Sequence, residues 1–309
     1  MIACHDEFRL PTQSAVRPIR PFPLLALLAL LAVMPPPVDA STGEHRAGPG
    51  LSTCPDSGRA VLLEGNLHRF SSRVSQTKRL KIVTIGSSST AGAGATVARN
   101  SYPSQLEIDL LRRFPGHAID VVNSGVNGQE IPDMLDRLDR DVLSHKPDLV
   151  IWQFGANGLM RGLPVDVMEV AAHTGIARIK ATGADVLLMD LQHAPRIDGV
   201  GRRDEILGMM ERVAESTDSA LFRRYRLMKA WARSMGERYG RMVHEDKLHM
   251  TDTSYRCMAG ALARSLETAV ARPVYVMRGA SGVAAATPGA RPAPVRSMTS
   301  PRESSAASP

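Results

Sequence analysis

From Lys78 to about Val270, short apolar runs alternate with stretches whose apolar positions recur every three or four residues. The first run, "KRLKIVTIG", carries Leu80, Ile82, Val83 and Ile85 with little polar interruption and predicts a buried strand. "SYPSQLEIDLLRRF" follows, with Leu106, Leu110, Leu111 and Phe114 at helical spacing. "HAIDVVNSG" reads as a short buried strand ending at Asn123. "IPDMLDRLDRDVL" reads as one helix with a stripe of Ile131, Met134, Leu135, Leu138 and Val142. The pattern then repeats: strand "DLVIWQFGANG", a helix from "VDVMEV" stopping at Gly183, strand "DVLLMDLQ", and helical stretches over Glu205–Glu215 and Leu227–Tyr239 with the short strand "ALFRRY" between them. A last helix, about Ser254–Val270, places Tyr255, Met258, Leu262, Leu266 and Val270 on one face. Alternating strands and helices with continuous apolar strand runs predict a three-layer α/β/α fold. Its sheet is expected to be mostly parallel, about five-stranded and flavodoxin-like, buried on both faces. Ligands in such folds bind at the carboxyl ends of the strands, so the loops there are the places to look for chemistry.

Composition changes the picture mainly at the two ends. Arg17 and Arg20 precede the apolar run Phe22–Met34, and small residues Val38 and Ala40 follow it. A run this short falls below the ~20 residues a membrane-spanning helix needs, so residues 1–40 read as a secretory signal cleaved after Ala40, with an uncleaved anchor as the alternative. Residues 41–77 are expected to pack as an extension on a domain covering 78–271. From 279 to 309 the chain is Ala, Pro, Ser and Arg with almost no large apolar side chains, a composition that predicts disorder. Five arginines and one glutamate from Arg272 onward account for more than half of the formal +7. What remains for the folded part is no nucleic-acid footprint. Cys4 leaves with the signal, so the exported chain keeps Cys54 and Cys257. An even pair in an oxidising compartment predicts a disulfide; two buried free thiols is the alternative if the chain is not exported.

Each loop at a strand end carries polar or glycine-rich chemistry. "GSSSTAGAG" after the first strand could hold an anion or present a nucleophile. It has no lysine after the glycines and "GAGATV" lacks a third glycine, so it is neither a P-loop nor a dinucleotide turn. The nucleophile reading fits better, with Gly86 turning the backbone so that a serine hydroxyl is delivered. "NSGVNGQ" offers Gly125 and Gly128, where an N–H can approach a ligand closely. "FGANG" offers Asn157, whose amide can donate to a developing oxyanion. "HEDKLHMTD" supplies Asp246 and His249 three residues apart, a base with its orienting acid. His244 and His249 are five apart and miss the H-E-x-x-H spacing, so a zinc site of His244, Asp246 and His249 has little support. His193 in "DLQHAP" reads as a pocket-lining or hydrogen-bonded loop histidine rather than the base.

Taken in order, these blocks resemble the SGNH (GDSL-type) hydrolase superfamily over roughly Lys81 to Val270. "GSSST" is similar to the Gly-Asp-Ser-x-Thr block, "VVNSGVNG" to the second block, "GANG" to Gly-x-Asn-Asp, and "DKLH" to Asp-x-x-His. The resemblance implies a nucleophile at Ser88, a base at His249 and an acid at Asp246. It also implies an oxyanion hole made by the backbone N–H groups of Ser88 and Gly128 and the Asn157 side chain. Ser87 and Gly158 depart from the pattern, each standing where the family usually has Asp, and Ser87, Ser89 and Thr90 are the candidates to replace the lost bracing groups. The expected activity is ester hydrolysis outside the cytoplasm, in the periplasm or beyond, on a small-molecule, carbohydrate or lipid ester. No metal or cofactor is required, no nucleic-acid partner is expected, and no membrane anchor remains after cleavage. An acyltransferase with the same triad, and a non-catalytic binding protein on the same scaffold, are the alternatives. Aromatic content of 4% disfavours an extended sugar-stacking groove, although Trp152, Trp231 and Tyr102 remain. A Cys54–Cys257 bridge would pin the segment after Cys54 beside the catalytic loop.

Overall fold

The computed structural model describes residues 54–55 and 62–271. The signal read over residues 1–40 and the tail read over 279–309 lie outside them. Six strands form one sheet: β1 (Leu63–Glu64), β2 (Arg79–Gly86), β3 (Ala118–Gly125), β4 (Leu149–Gln153), β5 (Asp185–Met189) and β6 (Ala220–Phe222). Their order is β1-β6-β5-β4-β2-β3. All neighbours pair in parallel except β1, which runs antiparallel to β6. Setting β1 aside, the parallel strands follow the 2-1-3-4-5 winding of flavodoxin-like sheets, whose switch point lies between the first and third parallel strands. Here that is the gap between β2 and β4.

Eleven α-helices connect and cover the described strands. In chain order they are α1 (His68–Gln76), α2 (Ser88–Ala91), α3 (Tyr102–Arg113), α4 (Ile131–Asp136), α5 (Leu138–Asp141), α6 (Ala156–Arg161), α7 (Val165–Lys180), α8 (Pro195–Asp198), α9 (Arg203–Ser216), α10 (Arg224–Met235) and α11 (Asp252–Ala271). Side chains along a strand alternate between faces, and here both faces are apolar. Leu80, Ile82, Leu149, Ile151, Leu187 and Met189 join the core beneath α1, α3, α10 and α11. Their neighbours Val83, Ile85, Val150, Trp152, Val186 and Leu188 join the core beneath α4, α7 and α9. Burial on both faces explains the near-continuous apolar runs. α11 packs along α3 through Tyr255, Met258, Leu262 and Leu266, all fully buried. Each such side chain contributes about 1.5–3 kcal/mol relative to exposure.

Several sequence expectations change in the folded chain. The sheet has a sixth strand, because two residues ahead of the first predicted strand pair with β6. β3 runs to Gly125 rather than Asn123, and it is a half-exposed edge strand: Ala118, Asp120 and Asn123 are exposed. Leu111 is 40% exposed, so the buried stripe of α3 is Tyr102, Leu106 and Leu110. The helix expected over 131–143 breaks at Arg137, where φ −107° and ψ 3° separate α4 from α5. α10 ends at Met235 and continues to Met242 as a 3-10 helix. Trp152, Trp231 and Tyr102 are core residues, at most 1% exposed, and offer no stacking surface. Cys54 and Cys257 form a disulfide, with Cα atoms 5.3 Å apart. It ties Cys54 to the second turn of α11 across 203 residues, a loop length for which chain entropy gives on the order of 5 kcal/mol at most. Among the described residues no helix is long and apolar enough to cross a membrane.

Candidate active site

The carboxyl ends of the three central strands lie in one row. Gly86 of β2 is paired with Gly125 of β3 on one side and with Gln153 of β4 on the other. The loops carrying Ser88, Gly128 and Asn157 therefore leave the sheet at the same level, at its switch point. Close packing at this row demands small residues. A Cβ on Gly86 would lie 2.2 Å from Thr90 Oγ1 and 2.8 Å from the Gln153 carbonyl. A Cβ on Gly125 would lie 2.2 Å from the Ala91 backbone nitrogen. The chain leaves β2 through Ser87 into the single turn of α2, where Ala91 N–H donates to the Ser87 carbonyl at 3.0 Å. Gly92 ends the turn at φ +100°, a left-handed conformation that favours glycine. Ser88, the first residue of α2, is half-buried, whereas Ser87 and Ser89 are buried.

The fourth participant comes from the far end of the domain. Val243 and Met250 form an isolated antiparallel bridge, and His244 N–H donates to the His249 carbonyl at 2.8 Å, so residues 243–250 close a tight loop. Lys247 turns that loop at φ +62°, which costs a non-glycine residue some strain. Asp246 Oδ1 accepts the backbone N–H groups of Leu248 and His249, each at 2.9 Å. The other oxygen, Oδ2, is 2.6 Å from His249 Nδ1. His249 Nε2 in turn is 2.7 Å from Ser88 Oγ. Burial pushes the Asp246 carboxyl up, but the His249 ring and the two backbone N–H groups outweigh it and hold the group well below the usual carboxylate range. It is therefore ionised at neutral pH and orients the imidazole.

Ser88, Gly128, Asn157 and His249 line one cleft of about 490 Å³. Gly128 sits at φ +76°, and nothing but the Arg161 guanidinium, at 3.8 Å, comes near the position of a Cβ there. Asn157 Nδ2 donates to the Gln129 carbonyl at 2.8 Å, which fixes the amide and leaves its second hydrogen for another acceptor. Among the described residues no Phe, Tyr or Trp lines the cleft. His244 lies 3.4 Å from Asp246 Oδ2 and outside the cleft lining. Among the described residues no group of three or more His, Cys, Asp and Glu is arranged to hold a metal. His193 takes no part here. Its Nδ1 lies 2.6 Å from Asp198 Oδ2 and it lines a separate cavity with Tyr239.

The groups standing in for the missing aspartates are largely outside the motif blocks. Gln153 Oε1 accepts the Ser87 N–H at 3.1 Å, the Ser87 hydroxyl at 3.2 Å and the Thr90 hydroxyl at 3.1 Å. Thr90 Oγ1 also meets the Tyr102 hydroxyl at 3.2 Å. Of the hydroxyls expected to brace the turn, Ser87 and Thr90 do so, through a glutamine that sequence reasoning passed over. Its one signal is a polar residue ending an otherwise apolar strand. At Gly158, the space a side chain would enter is filled by Met168, whose sulfur would lie 2.4 Å from a Cβ. Arg137, at the helix break, is buried and donates to Gln129 Oε1 at 2.6 Å and to the Gly86 carbonyl at 3.4 Å. It thereby joins the turn that carries Ser88 to the loop that holds the Asn157 amide. Asp252, at the start of α11, accepts from Thr96 and Asn100 and so ties the loop after α2 to that helix.

Comparison with known proteins agrees with this architecture. A curated arylesterase of Vibrio mimicus is 33% identical over 115 residues, which are 37% of this chain and 56% of that protein. A two-domain esterase active on acetylated mannans, crystallised with mannopentaose, superposes with a TM-score of 0.61 at 19% identity, over 71% of this chain and 58% of its own. A lipase/acylhydrolase from Enterococcus faecalis superposes with a TM-score of 0.53 at 24% identity, over 61% of this chain and 96% of its own. The chain thus spans somewhat more than half the length of the first two. These likenesses show the α/β fold. Residues 53–272 match the model of the Non-GDSL lipase-like family, and the chain belongs to it.

Proposed function

We propose that this protein is a serine ester hydrolase in which Ser88 is the nucleophile, His249 the general base and Asp246 its orienting acid. The observation that carries the reading is the unbroken chain of short contacts from Ser88 Oγ through the His249 ring to Asp246. His249 Nε2 takes the hydroxyl proton as Oγ attacks the ester carbonyl. The resulting oxyanion is stabilised by the N–H groups of Ser88 and Gly128 and the free hydrogen of the Asn157 amide. His249 then protonates the departing alcohol, and water activated by the same nitrogen releases the acid and restores Ser88. Ser87 and Ser89 are poor alternatives, being buried, with the Ser87 hydroxyl committed to Gln153. The disulfide, a bond that persists in oxidising compartments, supports export of the protein to the periplasm or beyond, as the apolar run near the N-terminus suggests. The acylated-carbohydrate and aryl-ester activities named for the similar proteins make those two ester classes the first to assay.

A fluorophosphonate probe tests the assignment directly. Labelling of the wild type that disappears in Ser88→Ala is the expected result; labelling that survives would move the nucleophile elsewhere. Asn157→Ala is expected to lower kcat on p-nitrophenyl acetate by about a hundredfold or more with KM little changed, the typical effect of losing one oxyanion donor. An unchanged kcat would remove Asn157 from the oxyanion hole.

Reduction of Cys54–Cys257 provides a further expectation. Cys257 lies on α11, whose first residue Asp252 ties down the 92–100 loop. That loop lies against His249: a Cβ on Gly94 would be 3.0 Å from His249 Cβ. Esterase activity is therefore expected to fall after dithiothreitol treatment at temperatures where the far-ultraviolet circular dichroism is still native. Equal loss of activity and helix signal would count against this coupling.

A further inference from the structure

The lining of the cleft beside Ser88 is unbalanced in charge, the Asp246 carboxylate lying behind the His249 ring. Among the described residues no aspartate or glutamate lines it, yet two arginines do, Arg161 and Arg196. Arg161 is compensated, since it forms a salt bridge with Glu130, the capping residue of α4. Arg196 is not. Its nearest acid along the chain, Asp198, is engaged by His193 and Arg203, and no carboxylate among the described residues pairs with the Arg196 guanidinium. The Arg196 backbone is held beside the chemistry, while its side chain is exposed. Its backbone N–H donates to the Lys247 carbonyl at 3.0 Å, inside the loop that carries Asp246 and His249. The next residue, Ile197, is fully buried and anchors the turn of α8. Asn127, Ala93, Met160 and Leu248, which also line it, carry no charge.

A guanidinium presents parallel N–H donors that match a carboxylate or phosphate in two-point contact. A cleft with one sign of charge also raises the local concentration of the opposite sign. We propose, resting on the hydrolase reading above, that the substrate is an ester bearing a carboxylate or phosphate group, which the Arg196 guanidinium binds while Ser88 attacks. Arg196 is thus a specificity residue: it contacts a part of the substrate that does not react.

The test uses two matched pairs of esters that differ in one charge. 4-Acetoxybenzoate and its methyl ester place the charge on the leaving side. p-Nitrophenyl hemisuccinate and its methyl ester place it on the acyl side. Values of kcat/KM, each divided by the rate constant for hydroxide hydrolysis, are expected to favour the anion by about two- to fivefold in at least one pair at low salt, as for an exposed ion pair. The preference is expected to shrink in 0.5 M NaCl and to invert in Arg196→Glu. Equal values within both pairs, or a preference that Arg196→Glu leaves intact, would overturn the proposal. Dissociation constants for the same esters on Ser88→Ala read the selectivity without turnover, with the same two outcomes. Failure of the hydrolase reading shows separately, as a wild type that cleaves neither neutral ester or a Ser88→Ala variant that cleaves them equally well.

Discussion

Ser88→Ala is expected to lower kcat on a p-nitrophenyl ester by about ten-thousandfold or more, the scale on which serine triads fail when a member is removed. At room temperature that corresponds to roughly 5.5 kcal/mol of transition-state stabilisation. His249→Ala is expected to cost about the same, and the double variant no more than either single one, because the two groups perform one proton transfer and one attack. The residual rate above the uncatalysed reaction would come from substrate binding and the oxyanion donors. Both side chains are only partly buried and neither anchors a core cluster, so the melting temperatures of the variants should stay close to that of the wild type. Steady-state kinetics on purified single and double variants, with a thermal melt of each, checks the prediction. Additive losses, or a Ser88→Ala variant keeping a tenth of the activity, would end the proposal that these two residues act as a unit.

Gly125→Ala is expected to be the most damaging single-methyl substitution near the site. An added Cβ would lie 2.2 Å from the Ala91 nitrogen and 2.5 Å from the Thr90 carbonyl carbon. These are backbone atoms of the nucleophile turn, with no rotamer that could move aside. Relief requires β3 and α2 to separate, which costs about 1–3 kcal/mol if it follows other overpacking substitutions. For a folded region of this size that lowers the melting temperature by about 2–12 °C. The separation also shifts Ser88 from His249, and a displacement near 1 Å is enough to cost about a hundredfold in rate. Gly201→Ala is the matched control: nothing lies within 4 Å of its Cβ position and its φ is ordinary, so its stability should stay within about 0.5 kcal/mol of wild type. Urea unfolding of both variants gives the comparison. A Gly125→Ala protein as stable and active as the control would mean that the nucleophile turn does not depend on this close approach.

The features that were legible in the sequence are those with a local cause. Alternating apolar runs and helical stripes gave the alternation of strands and helices and the parallel sense of the sheet, since a strand buried on both faces has to be apolar throughout. Glycines at strand ends and hydroxyl or amide residues just beyond them marked the loops that line the cleft. Where the reading strayed, a distant neighbour had decided the outcome. β3 runs on past Asn123, because Gly125 pairs with Gly86 across the sheet. A two-residue β1 leaves no periodic trace and exists only because β6 offers it an edge. Leu111 lies exposed on a helix whose orientation is set by α11. The run from Ile131 to Val142 has a helical stripe, yet it breaks where the buried Arg137 reaches the Gly86 and Gln129 oxygens. Trp152, Trp231 and Tyr102 could have lined a groove by composition alone; they fill the core instead.

By itself, then, the sequence determined the layered α/β scaffold, the disulfide partners and the residue types gathered at the carboxyl edge. Periodicity, turn chemistry and cysteine count act within a few residues or by simple pairing. Only the tertiary structure decided that an imidazole 161 positions away meets the Ser88 hydroxyl, that Gln153 braces the turn carrying Ser88, and that one arginine beside the cleft lacks a counter-charge. Those outcomes depend on which strand ends share a row and which loops fold back over it, and contacts between such distant segments leave no periodic mark on the chain that makes them.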